Sequence, residues 1–328
     1  MTETALVTGG AGFIGRAVAA ALAEAGYSVR AGVRSRSGPV LADVAPVPCD
    51  LDKPEQVAAA VSDMSAVVHC AYGDEAAMTR QNAVLLEAMS RAGVERLVYF
   101  SSIAVYGDAT APRSVDPIDM NSLSDTYARG KAECEQMVRD WVADSLSRRA
   151  IILRPGIVYG KGSPFWIEKL AQRIEAGVWG DFGPAGDGFA PLVHVDDVAN
   201  AASKAVQRLP DLSGAVPAID LVGPETPTWN DYSQQVAHAI GAGPLPRISQ
   251  AKLAWWQVRA LPAKAFSRLG VPGFARAALA PTGGELKNMA RRAVYDRARA
   301  QAVLGAAPSI GLDAGLQLTF GQDTRPEP

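Results

Sequence analysis

Nine residues near the start of the chain, Val7–Gly15, read VTGGAGFIG, and their glycine spacing sharply limits the fold around them. An apolar run, TALVT, leads into them, and an alanine-rich run, FIGRAVAAALAEAG, begins inside them. A strand, a tight glycine turn and a helix in that order form the opening unit of a doubly wound α/β sheet. Gly10, Gly12 and Gly15 carry the spacing G-x-G-x-x-G, and Gly9 stands three residues before Gly12. Bare α-carbons permit a tight turn, close approach of a pyrophosphate, and close packing of helix on strand. The helix start at Gly12, Phe13, Ile14 and Gly15 then offers N–H groups and a partial positive charge to phosphate. The loop therefore reads as a dinucleotide site built from Gly9, Gly12, Phe13, Ile14 and Gly15.

The rest of the first half repeats the alternation. The runs SVRAGVR, AVVHCA, RLVYFSS and RAIILRPGIVYG read as strands, and Pro54–Val61, MTRQNAVLLEAMSRAG and Tyr127–Val142 read as helices. Strands alternating with helices predict a parallel Rossmann sheet. After Gly160 the chain becomes dense in Gly and Pro, and helices beyond Thr228 are punctuated by Pro244, Pro246, Pro262, Pro272 and Pro281. The expected organisation is a dinucleotide-binding core over residues 1–158 and a smaller, mainly substrate-binding domain over 159–328. Late elements around residues 190–225 are expected to return to the core.

Composition narrows the class. Of 328 residues, 48 % are hydrophobic and 20 % charged, which is globular rather than disordered. A net charge of −2 gives no electrostatic reason to expect a nucleic-acid partner. Cys49, Cys70 and Cys134 are few and widely spaced, so neither a disulfide framework nor a metal site is expected. With no long apolar run and a strand almost at the N-terminus, the expectation is a cytoplasmic protein without a membrane span or signal peptide.

A second constellation carries chemistry. In TYARGK, Tyr127 and Lys131 stand four apart and share a helix face. An ammonium beside a phenol favours the phenolate, and a tyrosine with an ordinary pKa near ~10 needs such help to move protons near neutrality. Ser101 and Ser102 end the RLVYFSS strand, at the sheet edge where open α/β folds bind ligands. A serine there holds a carbonyl or hydroxyl oxygen beside the tyrosine. Asp50 and Leu51 end the third strand-like run; Asp50 serves either as acceptor for an adenine amino group or as N-cap of the next helix. Cys70 and Ala71 end the fourth, where small residues let backbone lie against a nucleotide.

Together, TGGAGFIG, SSIAVYG, YARGK, LRPGIVYG and VHVDDVA resemble the extended short-chain dehydrogenases/reductases, which include NAD(P)-dependent epimerase/dehydratases. The resemblance implies that Tyr127 is the general acid/base, that Lys131 also binds the nicotinamide ribose, and that Ser102 orients the substrate oxygen. It further implies that backbone from Pro155 to Val158 lines the nicotinamide, while His194, Asp196 and Asp197 of VHVDDVA are structural. The segment HCAYGDEAAMTRQNAVLLEAM is shorter than in nucleotide-sugar epimerases of this family and lacks their N-V-x-G-T-like pattern. The run AKLAWWQVRALPAKAFSRLGVPGFARAALAP reads either as an amphipathic helix pair or as an apolar entrance, and its layout is similar to the sterol-dehydrogenase-like branch.

Cofactor choice falls on YSVRAGVRSRSGP. A carboxylate near Val33 or Arg34 would bond the adenosine ribose hydroxyls, whereas arginine suits a 2′-phosphate. Arg34, with Arg36 second, thus points to NADP over NAD; the bland reading is a solvated basic turn. The expected activity is NAD(P)-dependent interconversion of a secondary alcohol and a ketone on a small-molecule substrate, a bulky or apolar one under the entrance reading. The alternatives are a nucleotide-sugar epimerase or dehydratase and, behind it, a non-catalytic NAD(P)-binding protein. The resemblance also implies a homodimer through core helices.

Overall fold

The computed structural model describes residues 2–34, 44–72, 75–111, 118–268 and 275–321. The chain divides into two units: Met1–Gly156, Val195–Val222 and Tyr295–Ser309 form the first, and Ile157–His194, Gly223–Val294 and Ile310–Pro328 the second.

Six runs of the first unit become strands: β1 (Thr4–Thr8), β2 (Ser28–Val33), β3 (Ala45–Pro48), β4 (Ala66–His69), β5 (Arg96–Phe100) and β6 (Arg149–Pro155). Two short strands, β7 (Ile157–Tyr159) and β8 (Leu192–His194), pair in the second unit, and β9 (Ala218–Leu221) belongs to the first. Seven strands run parallel in the order β3-β2-β1-β4-β5-β6-β9. This is the doubly wound sheet the sequence predicts. Its order reverses between β1 and β4, which opens a crevice beyond their C-terminal ends.

Helices α1 (Phe13–Glu24), α2 (Pro54–Val61), α3 (Met78–Ala92) and α4 (Thr126–Ala143) link these strands. A parallel sheet covered on both faces needs nearly continuous apolar strands, and β4 is buried along its whole length. Val57 and Val61 of α2, Leu85 and Met89 of α3, and Val138 and Trp141 of α4 join one core with Leu6, Val67, Leu97 and Ile152. Each such side chain contributes about 1.5–3 kcal/mol on burial. The opposite face of α4 exposes Arg129, Glu133, Gln136 and Asp140. This outward face of α4, one of the core helices, is polar rather than apolar.

Later helices alternate between the units. The second unit holds α5 (Lys169–Glu175), the first α6 (Val195–Arg208), and the second α7 (Trp229–Ala239), α8 (Gln250–Arg268), α9 (Ala275–Ala278) and α10 (Gly283–Met289). The first then gains α11 (Ala298–Leu304) and the second α12 (Leu312–Phe320). The second core is aromatic: Trp179, Phe182, Trp229, Tyr232 and Trp256 pack with Leu170 and Ile174. Pro262 does not punctuate as expected but lies inside α8. An internal proline removes a backbone bond and costs about 3 kcal/mol. Burial of Leu253, Trp256 and Ala263 along the same helix offsets it. Pro272 lies outside the described residues. Among the described residues, no helix is long and apolar enough to cross a membrane.

Candidate active site

The glycine turn follows β1 directly. Gly9 takes a φ of +67°, and a Cβ on it would lie 2.8 Å from Ala71 Cα. A Cβ on Gly15 would lie 2.2 Å from the Gly9 carbonyl oxygen. The first glycine thus lets the loop lie against the end of β4, and the second lets α1 close onto the loop. Gly12 donates its N–H to the Gly9 carbonyl at 2.9 Å and caps α1 without a side-chain bond. The first turn of α1, with Phe13, Ile14 and Gly15, carries no acidic residue, so its donors and dipole are available to an anion. These residues fit a dinucleotide pyrophosphate: a tight turn that a Cβ at Gly9 or Gly15 would disrupt leads into a helix N-terminus with free donors.

The ends of β1 and β4 are fastened together. Thr8 Oγ1 lies 2.6 Å from His69 Nδ1 and accepts the Ala71 N–H at 3.3 Å. Burial, then the charge of Lys131, pushes His69 down to about 3, so the imidazole is neutral. Burial raises the Cys70 thiol far above its usual range, leaving an inert side chain beside the loop. Leu51 is buried. Asp50 Oδ1 accepts from the Asp52 N–H at 3.2 Å and Oδ2 lies 3.5 Å from Lys53 Nζ. The N-cap of α2 is Lys53, which corrects the capping alternative for Asp50. Arg34 is exposed just past β2, whose last residue, Val33, is buried. Its charge helps lower the Asp52 carboxyl, after the hydrogen bonds from Gln81 and Arg80. Arg36 lies outside the described residues.

Beyond β5, Ser102 N-caps a short turn, Ile103–Tyr106, its Oγ accepting from the Ala104 N–H at 3.2 Å. Asp125 N-caps α4 by accepting from the Ala128 N–H at 2.9 Å, which sets Tyr127 in the first helical turn. Lys131 follows one turn later, buried, and donates from Nζ to the Phe100 carbonyl at 2.7 Å. The ammonium lies 5.3 Å from the Tyr99 ring centroid and 6.0 Å from that of Tyr127. Burial brings Lys131 down to about 8.

The Tyr127 phenol is raised above its ordinary value of 10.0, not lowered as the helix spacing predicts. Burial is the main cause; a side-chain hydrogen bond with Ser102 opposes it, and Asp125 and Glu75 add to it. Lys131 is not among the groups that shift the phenol; its ammonium donates to the Phe100 carbonyl.

Several charged residues that the sequence reading passed over sit under this site. Glu135 continues the α4 face one turn beyond Lys131 and receives two bonds from Arg154 of β6, at 2.8 and 2.6 Å. Arg154 Nη1 also donates to Tyr106 Oη at 2.7 Å, and Tyr106 donates to Asp220 Oδ1 of β9 at 2.7 Å. The chain of bonds joins the turn after Ser102 to the helix of Tyr127 and Lys131. Its only sequence signals are Glu135 four residues after Lys131, and the Arg inside LRPGIVYG. Pro155 ends β6, still in the first unit. Val158 lies buried in β7 of the second unit, where His194 packs edge to face on Tyr159 with centroids 5.2 Å apart.

A profile of the NAD dependent epimerase/dehydratase family matches residues 5–214. The chain belongs to this family. It is 30 % identical over 264 residues to a 2-alkyl-3-oxoalkanoate reductase of Stenotrophomonas maltophilia, covering 75 % of this chain and 77 % of the relative. It is 31 % identical over 272 residues to a 3-diazoavenalumate denitrifying reductase of a Streptomyces species, covering 76 % and 85 %. UDP-glucose 4-epimerase of Thermus thermophilus, solved in complex with NAD, shares the fold with a TM-score of 0.69. That likeness covers 97 % of this chain and 98 % of that one at 23 % identity. As a member of the NAD dependent epimerase/dehydratase family, the chain is an enzyme of a group that holds both reductases and epimerases.

Proposed function

We propose that this enzyme is an NADPH-preferring cytoplasmic reductase that converts a ketone to a secondary alcohol, with Tyr127 as general acid. One observation carries the reading: Tyr127 and Lys131 stand one helical turn apart on α4, with the Lys131 ammonium 6.0 Å from the Tyr127 ring centroid. The phenol's raised pKa keeps it protonated at neutral pH, which suits proton donation to a carbonyl oxygen. Ser102 donates to the same oxygen and orients it. Lys131, bonded to the Phe100 carbonyl, holds the floor of the site and presents its remaining donors to a ribose. A bound nicotinamide would supply the hydride for the reduction. Gly9, Gly12 and Gly15 with the α1 N-terminus would hold the pyrophosphate, Asp50, Leu51, Cys70 and Ala71 would flank the adenosine side, and Pro155 would flank the nicotinamide.

NADP preference rests on Val33 and Arg34. No carboxylate ends β2, and an exposed guanidinium follows it, suited to a 2′-phosphate. The reductase names of two relatives near 30 % identity support a ketone or related acceptor.

The second reading is a nucleotide-sugar epimerase, favoured by the Vibrio cholerae UDP-glucose 4-epimerase among the relatives, at 26 % identity over 221 residues. Stoichiometry separates the two. Under the reductase reading, NADPH is consumed one for one with a ketone, and UDP-glucose is not converted. Conversion of UDP-glucose with catalytic nucleotide and no net NADPH loss would replace it with the epimerase reading.

A further inference from the structure

Tyr72 has no role in the reading above, yet it stands against its central residue. Its ring meets that of Tyr127 edge to face, with centroids 5.2 Å apart and planes at 79°. It lies 5.8 Å from the Lys131 ammonium and is 52 % exposed. An exposed tyrosine ordinarily samples several rotamers on a fast timescale. This one is tethered. Its hydroxyl donates to Glu75 Oε1 at 3.1 Å, and Glu75 Oε2 accepts from Thr126 Oγ1 at 2.6 Å. Thr126 opens α4 immediately before Tyr127. One carboxylate, with a bond on each oxygen, fixes the Tyr72 ring relative to the helix end that presents the acid.

The chemistry beside that ring is selective. Glu75 and Asp125 are exposed carboxylates that both act electrostatically on Tyr72 and on Tyr127. The ammonium close to both rings, Lys131, is buried and bonded to the Phe100 carbonyl. A phosphate or carboxylate placed along Tyr72 would meet like charge. An alkyl chain or aryl ring would gain by covering an aromatic face already fixed in place.

We propose that Tyr72 is a specificity-determining residue. Its ring is the wall on which an uncharged, apolar arm of the ketone lies, and Glu75 with Asp125 turns anionic arms away from that side. The inference rests on the reductase reading and names the substrate class for it.

The test measures NADPH consumption with straight-chain methyl ketones from butanone to octanone, and with a methyl ketone bearing a terminal carboxylate. In the wild-type enzyme, kcat/KM rises by about fourfold per methylene while the chain extends over the ring. Tyr72→Phe keeps that slope, because the ring remains. Tyr72→Ala flattens it. Glu75→Gln improves the carboxylated ketone by about two- to fivefold relative to its uncharged counterpart. If Tyr72→Ala retains the wild-type slope, Tyr72 is not the wall, and the reductase reading stands without it. If the wild-type enzyme consumes no NADPH with any of these ketones, the reductase reading fails and takes this inference with it.

Discussion

Arg154 on β6 grips Glu135 on α4 through two parallel hydrogen bonds, Nε to Oε1 at 2.8 Å and Nη2 to Oε2 at 2.6 Å, with both side chains 1 % exposed. A guanidinium fork matched to a carboxylate fixes orientation as well as distance. Here it sets the rotation of the helix that carries Tyr127 and Lys131. Removing Arg154 takes both parallel bonds from the buried Glu135 carboxylate and leaves it with the partly exposed Arg139, 3.7 Å away. Arg154→Met is expected to cost about 3–5 kcal/mol in urea denaturation, and pairing it with Glu135→Leu recovers most of that loss. Additive losses in the double variant would show that the two side chains do not act as a pair.

Asp220 carries the pH dependence of this network. It is 0 % exposed, and among the described residues Oδ2 has no hydrogen-bond partner. Burial lifts its carboxyl to about 6; Tyr106 and Arg154 pull it down, while Asp296 and Glu135 add to the rise. The folded state therefore holds an extra proton between the unfolded value of 3.8 and about 6. Its contribution to stability is fully present below 3.8 and is lost as pH rises through about 6. Asp220→Asn lacks this titration, so the variant gains on the wild type by up to ~3 kcal/mol as pH is raised across that window. A stability difference that stays flat with pH would remove Asp220 from the titration.

Tyr127→Phe keeps the ring and its contact with Tyr72 but loses the transferable proton. Turnover is expected to fall by about 10²–10⁴-fold with the dissociation constant for NADPH unchanged. Fluorescence titration alongside steady-state kinetics separates the two quantities. Equal losses in affinity and turnover would make Tyr127 a binding residue.

Arg34 is the proposed reader of the 2′-phosphate. Arg34→Ala is expected to weaken NADPH by about 10- to 100-fold, the worth of a charge-assisted hydrogen bond, and to leave NADH almost unaffected. Isothermal titration with both nucleotides measures the ratio. Wild-type protein that binds the two equally would return Arg34 to the role of a solvated turn.

The sheet and its switch point were legible because parallel strands buried on both faces must be apolar almost throughout, and the runs ending at Thr8, His69 and Phe100 are. Helix Pro54–Val61 was legible to the residue, since a proline suits a first helical position. The glycine turn was readable because close approach leaves few substitutes at Gly9 and Gly15. Other features were not readable in principle. The upward shift of Tyr127 comes chiefly from its burial, and helix spacing gives a shared face but not how deeply the fold buries the phenol. Tyr72 and Glu75 are neighbours of Tyr127 only through the folded sheet, with no periodicity to mark them. Pro262 inside α8 shows the same limit, since tertiary burial decided against the local preference.

The first unit takes its seventh strand from residues 218–221, after one passage of the chain through the second unit, and its last helix, α11, from residues 298–304, after two. During synthesis, a nascent chain that has emerged only through Gly156 carries β6 as a bare parallel edge. Such an edge is open to mispairing until β9 arrives. Completion of this unit therefore waits on the ribosome delivering most of the protein, and a fragment ending at the first boundary is an unfinished sheet.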